Sequence, residues 1–507
     1  MARRGRNVVK GSGKLAQSPW GQPINRFGPI TFAAAEEIEA LHDASMELLE
    51  NTGLYVLSEK ALRLYEAAGA KVDYSNNRVR LGRDMVKACL ASAPSQFTLH
   101  ARNPDRNLEI GGKNLTFLTA ATPPYCSDID RGRRTGNFQD MSDLLRLCQS
   151  LNTVHAMTGY PVEPQDLPVP TRHLDCYAAF IELTDKVWRP YGTTPDAVKD
   201  GLEMICIARG ISREQLKNEP SLLINVNINS PLTFDDTMSD SLIEMSEMGQ
   251  AVIVSPFTLA GATSPVTMEG ALAQQNAEVL SGIVLTQIVR PGAPVVYGAF
   301  SSNVDMKTGS PAFGTPEYNK CAIISGQLAR RYGLPYRSSN INSSNVVDAQ
   351  ATYESQMSIW GAFLGGVNVF FHGHGWLESG LTTSFEKLVI DSEMLQMMTA
   401  AMKPLSFSAE NLAVEVVDEV GPGGHFFGTA HTLARYRNAF HAPMVSDWNN
   451  FENWNESGGL DATQRANAVW KQLLQEYTPP PLEEDRREAI HAYVAKRKAE
   501  IETMKAA

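Results

Sequence analysis

The stretch Val369-Phe370-Phe371-His372-Gly373-His374-Gly375-Trp376 joins an apolar run to a polar and aromatic loop. It belongs to a series of short segments, rich in β-branched residues, that alternate with longer helical stretches such as 317–331 and 349–365. This alternation is typical of βα units, and near-continuous apolar strands indicate a parallel sheet buried on both faces. We predict strands near residues 155–163, 186–194, 221–229, 251–259, 294–301, 334–341 and 366–373.

A (β/α)8 barrel, the TIM-barrel form of the α/β class, fits this pattern best. The eighth strand is expected near Met444-Val445 or between Leu115 and Leu118. A doubly wound open sheet is the alternative, but no Gly-x-Gly-x-x-Gly follows the first strand. The predicted organisation is an N-terminal arm (1–31), a small N-terminal α+β subdomain (32–139), the catalytic barrel (140–475) and a helical C-terminal tail (476–507).

The composition narrows the class of protein. The net charge of -11 over 507 residues argues against binding to nucleic acid or to an anionic membrane, both of which favour a basic face. The six cysteines form no Cys-x-x-Cys pair, so neither a zinc knuckle nor a redox dithiol is indicated. No apolar run reaches the roughly 20 residues of a membrane span, and the basic N-terminus lacks the apolar core of a secretory signal. A cytoplasmic enzyme is the expectation.

Polar side chains cluster where the predicted strands end, which is where a TIM barrel places its active site. In the segment 225–229, strict alternation puts three Asn side chains on one face, so they line either a ligand site or a structural amide layer. Tyr297 lies on the fifth predicted strand. Arg337, on the sixth, is a candidate for a substrate carboxylate or for a structural ion pair.

The seventh strand carries the densest set of such residues. His372 and His374, two positions apart, are expected to face the same way, as a metal site would need, yet no third His or Cys follows at a ligand spacing. The rival interpretation is an aromatic pocket, because Trp, Tyr and Phe faces attract cations such as quaternary ammonium. A barrel core with satisfied histidines is the third possibility. No nucleophile elbow, phosphate loop or carboxylate pair names a reaction.

Several runs, in order, resemble the trimethylamine methyltransferase family over about residues 30–450. The matching runs are 256–267 (PFTLAGATSPVT), 273–278 (AQQNAE), 290–298 (RPGAPVVYG), 314–318 (GTPEY), 348–350 (DAQ) and 372–378 (HGHGWLE). The resemblance implies a (β/α)8 barrel that moves a methyl group from a methylamine to the cobalt of a corrinoid (cobalamin) carried on a separate small protein. It implies no metal bound by this chain itself.

The family's trimethylamine enzymes carry pyrrolysine in the loop before the DAQ run. Here residues 340–347 read NINSSNVV, without pyrrolysine or even Lys. Members that lack pyrrolysine resemble glycine betaine methyltransferase, so the resemblance implies a quaternary amine, glycine betaine or a related betaine, as substrate. Loss of a methyl from quaternary nitrogen leaves a neutral amine, so orientation alone is expected to suffice and no catalytic acid, base or nucleophile is assigned.

The resemblance and the strand ends together give a set of candidate substrate-binding residues. An aromatic cage is expected from Tyr125, Tyr297, Trp376, Phe257, Phe385 and Tyr353; polar or charged walls from Asn227, Asn229, Glu354 and Glu378; and a carboxylate site from His372, His374 or Arg337. Two other classes stay open: a metal-dependent TIM-barrel hydrolase that uses His372 and His374, and a non-catalytic betaine-binding protein. The long arms at both chain ends favour a homo-oligomer, a dimer or larger.

Overall fold

A computed structural model describes residues 15–191 and 194–506 and contains an eight-stranded parallel barrel. In chain order its strands are β1 (Thr116–Thr119), β2 (Ala156–Met157), β3 (Val187–Trp188), β4 (Leu223–Val226), β5 (Ala251–Val254), β6 (Val295–Gly298), β7 (Tyr336–Ser339) and β8 (Val369–His374). Each strand pairs in parallel with the next, and β8 pairs back to β1. A parallel bridge between Trp188 and Leu222 closes the ring between β3 and β4.

A helix follows every strand and covers the outside of the barrel. The helices are α1 (Phe138–Ser150), α2 (Arg172–Leu183), α3 (Pro195–Arg209), α4 (Asp236–Glu247), α5 (Met268–Val289), α6 (Pro316–Arg331), α7 (Ala349–Gly365) and α8 (Phe385–Ala401). A further short helix, Arg213–Leu216, lies between α3 and β4. The predicted (β/α)8 fold is confirmed, and the doubly wound alternative is excluded because the sheet closes on itself.

The first barrel strand lies within the range predicted for the N-terminal subdomain. It is β1, at one of the two positions considered, whereas Val445 is buried in a bend and not in a strand. The barrel thus begins at Thr116, before the boundary expected at residues 139 and 140. Strand β1 was hard to assign because only four residues separate it from the preceding strand, where a βα unit would place a helix.

The residues before β1 form a small α+β unit. Its helices are Ala35–Glu47, continued by a π-helical turn Leu48–Thr52, then Glu59–Ala67 and Arg83–Ser92; its strands are Leu54–Val56, Lys71–Asp73, Arg78–Arg80, Gln96–Leu99 and Leu108–Gly111. The last two strands form a hairpin, and its Leu99 and Ile110 pack with the inward side chains Leu118 and Val296. The hairpin thus closes the N-terminal end of the barrel, which leaves the C-terminal end for a ligand.

Both described chain ends pack on the molecule's own barrel. In the N-terminal segment, the Asn25 side chain donates to the Phe363 carbonyl at 2.8 Å. The long C-terminal helix, Glu484–Ala506, lies on α2 and α3, where Arg497 pairs with Asp200 at 2.7 Å. The helix Ala462–Glu476 packs on α8 and α1. None of the helices in the described ranges has both the length and the apolar character to cross a bilayer.

Candidate active site

A cavity of about 300 Å³ occupies the C-terminal end of the barrel. Its size is at the lower limit of small-molecule sites, about 300 to 1,000 Å³. Seven of the eight strands contribute a wall residue or lead directly into one, as the closed parallel arrangement requires. The lining residues are Ala121, Thr122, Arg189, Tyr191, Asn225, Asn227, Ser255, Pro256, Phe257, Phe300, Phe313, Arg337, Phe371, His372, Trp376 and Ser379.

Two arginines point into this cavity. Arg337 on β7 is 3% exposed, and its Nη1 donates to Ser255 Oγ at 3.0 Å and to the Ala299 carbonyl at 2.9 Å. Arg189, just after β3, donates from Nη1 to the Thr158 carbonyl at 2.8 Å. The Nε atoms of both are buried without a partner. Among the residues that the structure describes, neither guanidinium forms an ion pair with a carboxylate, so two cationic groups face the cavity unpaired.

Burial affects the ionisation of these arginines. Desolvation lowers the pKa of Arg337 to about 10 and also lowers the pKa of Arg189. A pKa of about 10 still leaves the Arg337 guanidinium charged near neutral pH. A buried cation without a counter-ion is costly, and such groups are characteristic of sites that receive an oppositely charged ligand.

The two histidines of β8 do not share a site. His372 has a φ of 54°, and the pairing of β8 with β1 shifts register between Phe370 and His374. This irregularity turns His372 into the cavity beside Phe371. His374 instead lies against β1 and the start of β2, with Nε2 3.0 Å from Thr153 Oγ1 and Nδ1 3.3 Å from the Leu118 carbonyl. The expectation that the two rings face the same way is therefore wrong, because it assumed unbroken alternation.

His372 is a neutral wall of the cavity. Desolvation, reinforced by Arg337 and Arg189, holds its pKa well below the usual range for histidine. Its ring lies 4.1 Å from the ring of Trp376, and its Nδ1 is buried without a hydrogen-bond partner. Within the described ranges no group of three or more His, Cys, Asp or Glu side chains is arranged to hold a metal.

An aromatic wall forms another part of the cavity and adjoins Arg337, whose guanidinium lies 5.3 Å from the Phe300 ring centroid. Phe300 contacts Phe257 at 5.2 Å, Phe313 at 5.5 Å and Trp376 at 6.5 Å between ring centroids. Phe257 is 39% exposed, so this wall reaches the mouth of the cavity. No Asp or Glu is among the lining residues. A cation in this cavity would therefore be held by ring faces rather than by a carboxylate.

The Asn row of β4 is split. Asn225 and Asn227 line the cavity, and Asn225 Nδ2 donates to Asn227 Oδ1 at 2.7 Å. Asn229 is exposed and donates to Asp235, the N-cap residue of α4, at 3.0 Å. Asn229 is therefore a turn residue and not a cavity wall, because β4 ends at Val226 and the chain no longer alternates beyond it.

Three of the predicted cage residues lie elsewhere. Tyr297 points outward from β6 to α5, where its hydroxyl donates to Asn276 at 3.0 Å, because alternation directs Val296 inward instead. Phe385, at the start of α8, is fully buried against Trp470 at 5.0 Å. Tyr353 stands on the outer face of α7 and is 62% exposed.

The remaining predicted wall residues surround the mouth without lining the cavity. The Tyr125 ring is covered by Arg133 at 3.7 Å, and the same guanidinium pairs with Glu378 at 2.9 Å. Glu354 accepts hydrogen bonds from the backbone N–H groups of Ser343 and Ser344 at 2.8 and 3.0 Å. These carboxylates fix loops, so neither is free to complement a charged ligand in the cavity.

The loop of residues 340–347 supports Trp376. Asn342 donates from its side chain to the Trp376 carbonyl at 2.9 Å, and the indole N–H donates to the Asn342 carbonyl at 3.1 Å. Behind this loop lies a buried ion pair, Lys387 with Asp391, and Asp391 accepts from the Gly375 N–H at 2.8 Å. The pair therefore positions the segment between His372 and Trp376.

The sequence pattern did not single out several lining residues. Arg189 and Tyr191 lie just beyond β3, so their position after a strand was a signal in the sequence. Phe300 lies two residues beyond β6, within the predicted strand 294–301. Tyr297 was the residue of that strand predicted to line the site. Phe313 and Ser379 come from loops, and no local signal in the sequence brings them to the cavity.

The closed barrel, with a polar and aromatic cavity at the C-terminal ends of its strands, defines a TIM-barrel enzyme that acts on a small molecule. Residues 1–502 match the family described as trimethylamine methyltransferase (MTTB), and the chain belongs to that family.

Similar proteins of known name are methyltransferases. Glycine betaine methyltransferase from Desulfitobacterium hafniense is 36% identical over 95% of this chain and 99% of its own length. Trimethylamine methyltransferase MttB from the same species is 32% identical over 91% of this chain and 92% of its length. MttB2 from Methanosarcina mazei is 30% identical over 92% and 95%. Among solved structures, the Methanosarcina barkeri monomethylamine methyltransferase matches with a TM-score of 0.49 and 9% identity, covering 88% of this chain and 93% of that one.

Proposed function

We propose that this protein transfers a methyl group from a quaternary amine that bears a carboxylate, glycine betaine or a related betaine, to the Co(I) corrinoid of a small partner protein. The proposal rests on two arginines, Arg189 and Arg337, that have no carboxylate partner. Both line the same cavity as the aromatic wall. A betaine has a carboxylate and a permanent cation a few bonds apart, and the cavity offers a complement to each.

The two arginines offer a binding site for the anionic end of the substrate. Arg189 and Arg337 each have a buried Nε–H without an acceptor, so a carboxylate could accept from both guanidinium groups. Trimethylamine has no anionic group and would leave two buried cations uncompensated, and a cationic amine would be repelled by them. The arginines therefore favour a betaine over a simple methylamine.

The aromatic rings offer a binding site for the cationic end of the substrate. Phe257, Phe300 and Trp376 present apolar faces to the cavity, and the lining set contains no acid. A trimethylammonium group is weakly hydrated and binds to such faces without forming an ion pair. With the carboxylate at the arginines, this arrangement turns the methyl groups toward the mouth, where Phe257 is partly exposed.

The chemistry needs little from the protein. The bond between nitrogen and one methyl carbon breaks, its electron pair stays on nitrogen as a neutral tertiary amine, and the methyl passes to a nucleophile, so no proton is transferred. The corrinoid, when its carrier protein docks, supplies that nucleophile as Co(I). This chain's residues bind the substrate, orient one methyl and exclude water, and such orientation can contribute several kcal/mol, up to about 7 to 11. His372 is neutral because its pKa is lowered, so its ring adds no positive charge to the site for the carboxylate.

The two other classes are less well supported. A metal-dependent hydrolase would need His372 and His374 at one ion, but His374 is turned toward Thr153 and Leu118 and away from the cavity. A non-catalytic betaine-binding protein would use the same cavity, so turnover is what distinguishes it from an enzyme.

The test is methyl transfer measured as loss of the Co(I) absorbance of a reduced corrinoid protein mixed with the purified chain. We expect consumption with a betaine, and none with dimethylglycine or trimethylamine. Arg337→Gln should abolish most of the betaine-dependent rate, whereas Arg330→Gln, at the opposite end of the barrel, should retain it. Betaine binding without Co(I) consumption would identify a binding protein and overturn the proposal, as would consumption with trimethylamine alone.

A further inference from the structure

A second cavity lies beside the active-site cavity, between the loops that follow β2 and β3 and the C-terminal helix. Its volume is about 380 Å³, within the size range of small-molecule sites. We refer to it as the side cavity; its walls include Tyr160, Glu163, Arg172, Tyr191, Asp200 and Arg497. Tyr191 is also a wall of the active-site cavity, so the two cavities meet at one side chain.

The Tyr191 ring separates two different electrostatic surroundings. Burial raises the pKa of its hydroxyl; Glu163 raises it further, whereas Arg189 and Arg172 lower it. Arg189 lines the active-site cavity, while Glu163 and Arg172 line the side cavity. On the side-cavity side the ring packs against Tyr160, with 5.1 Å between the ring centroids. One aromatic ring is therefore the partition between the two cavities.

The two cavities differ in the charges of their walls. Among the described residues, the active-site cavity is lined by two arginines and by no acid. The side cavity has acidic walls, Glu163, Asp196 and Asp200, as well as two arginines. An ammonium group that donates a hydrogen bond to a carboxylate therefore finds an acceptor in the side cavity and none in the active-site cavity.

Glu163 has a carboxylate oxygen that no other described residue uses. Its Oε1 pairs with Arg172, but its Oε2 is buried without a hydrogen-bond partner. Asp200, in contrast, is contacted by three polar side chains, among them Arg497 at 2.7 Å. A buried acceptor without a donor is costly, so Glu163 favours a ligand that brings an N–H group.

Removal of one methyl group changes what the ligand can donate. A quaternary nitrogen carries no hydrogen atom, so a betaine has no N–H group for Glu163. The tertiary amine left after the transfer takes up a proton from solvent water near neutral pH, because aliphatic amines have pKa values of about 10. It then has one N–H donor and keeps its carboxylate, which can accept from an arginine. The product therefore matches the side cavity in a way that the substrate does not.

We propose that the side cavity binds the demethylated product, a tertiary amino acid such as dimethylglycine, after it passes Tyr191 from the active-site cavity. Glu163 Oε2 accepts the N–H of the product, and Arg172 donates to its carboxylate. A lateral route lets the product leave while the corrinoid protein still covers the mouth. This inference rests on the proposed function, because the product exists only if the methyl transfer takes place.

Titration calorimetry with dimethylglycine, on protein saturated with glycine betaine, tests the side cavity separately from the active site. We expect dimethylglycine to bind to the saturated protein, because betaine fills only the active-site cavity. Glu163→Gln should weaken this binding about tenfold or more, through loss of a charged acceptor, and leave betaine affinity unchanged. The matched control is Glu219→Gln, which removes a carboxylate paired with Arg209 at 2.5 Å outside both cavities and should change neither affinity. Competition of the two ligands for one site, or undiminished dimethylglycine binding by Glu163→Gln, would overturn the inference.

The competition experiment uses the unaltered protein, so it stays decisive if Glu163→Gln does not fold. It also separates this inference from the proposed function. Co(I) consumption with a betaine, but no dimethylglycine binding to the betaine-saturated protein, would overturn the inference alone. Dimethylglycine binding that depends on Glu163, without Co(I) consumption with any betaine, would overturn the proposed function and support the ligand class assigned to the side cavity.

Discussion

Replacing Arg337 by Gln tests most directly whether the two arginines bind the carboxylate of the substrate. Arg337 is 3% exposed, donates hydrogen bonds to Ser255 and the Ala299 carbonyl, and lies over the Phe371 ring at 4.5 Å, so the substitution removes one of the two cations of the cavity. Removing one partner of a buried, hydrogen-bonded charge pair costs about 2 to 5 kcal/mol. Because Arg189 still faces the carboxylate, we expect the lower end, a weakening of betaine affinity by roughly 30- to 100-fold.

The assay is isothermal titration of the variant with glycine betaine and with tetramethylammonium, which lacks the carboxylate. The variant should lose affinity for the betaine but not for tetramethylammonium, because only the betaine contacts the arginines. Arg330→Gln, which removes a guanidinium bonded to the Gly365 carbonyl at 2.5 Å outside the cavity, should change neither affinity. The thermal midpoint of the ligand-free Arg337→Gln protein should change little, because the loss of two hydrogen bonds is offset by removal of a buried cation that has no carboxylate partner. Equal losses for both ligands, or no loss for the betaine, would refute the reasoning.

Further outcomes follow from the same geometry. Phe257→Ala, which removes one ring of the cavity, should weaken tetramethylammonium binding about fivefold in the same titration, and unchanged binding would remove Phe257 from the cation site. Tyr297→Phe should leave binding unchanged but lower the free energy of unfolding by about 1 kcal/mol in urea, because it loses one buried hydrogen bond; weaker betaine binding would contradict its outward placement. Betaine affinity should be flat between pH 6 and 8, because the lowered pKa keeps His372 neutral throughout; a histidine of ordinary pKa that bound the carboxylate only when protonated would instead lose about tenfold or more as the pH rises. Asp391→Asn should cost about 3 to 5 kcal/mol of stability in urea, because it leaves Lys387 buried without its counter-ion, and a loss below 1 kcal/mol would show that the pair is not needed.

The barrel was predictable because its signal is local. Each strand is a short apolar run between turn residues, and each helix follows it within the same stretch of chain, so seven strands and the closed fold could be assigned from the sequence. Strand β1 was placed only as one of two options, because it continues directly from the N-terminal hairpin and has no preceding helix to mark it.

The cavity was predictable only in part. Asn227, Phe257, Arg337, His372 and Trp376 line it because they lie within or just beyond the barrel strands, whose C-terminal ends the topology places at one edge. Tyr297 and His374 were assigned to it on residue type and spacing, but the direction of a side chain depends on the register of its strand. One irregular residue in β8 turns His372 inward and leaves His374 against its neighbours.

By itself, the sequence determined the (β/α)8 fold, the end of the barrel that holds the site and the family to which the chain belongs. These depend on short-range periodicity and on long runs of residues that resemble a known family and can be compared without coordinates. Only the tertiary structure decided which side chains meet in the cavity and that two arginines face it without a carboxylate. Whether a charge has a counter-ion depends on residues far apart in the chain, which only closure of the barrel brings together.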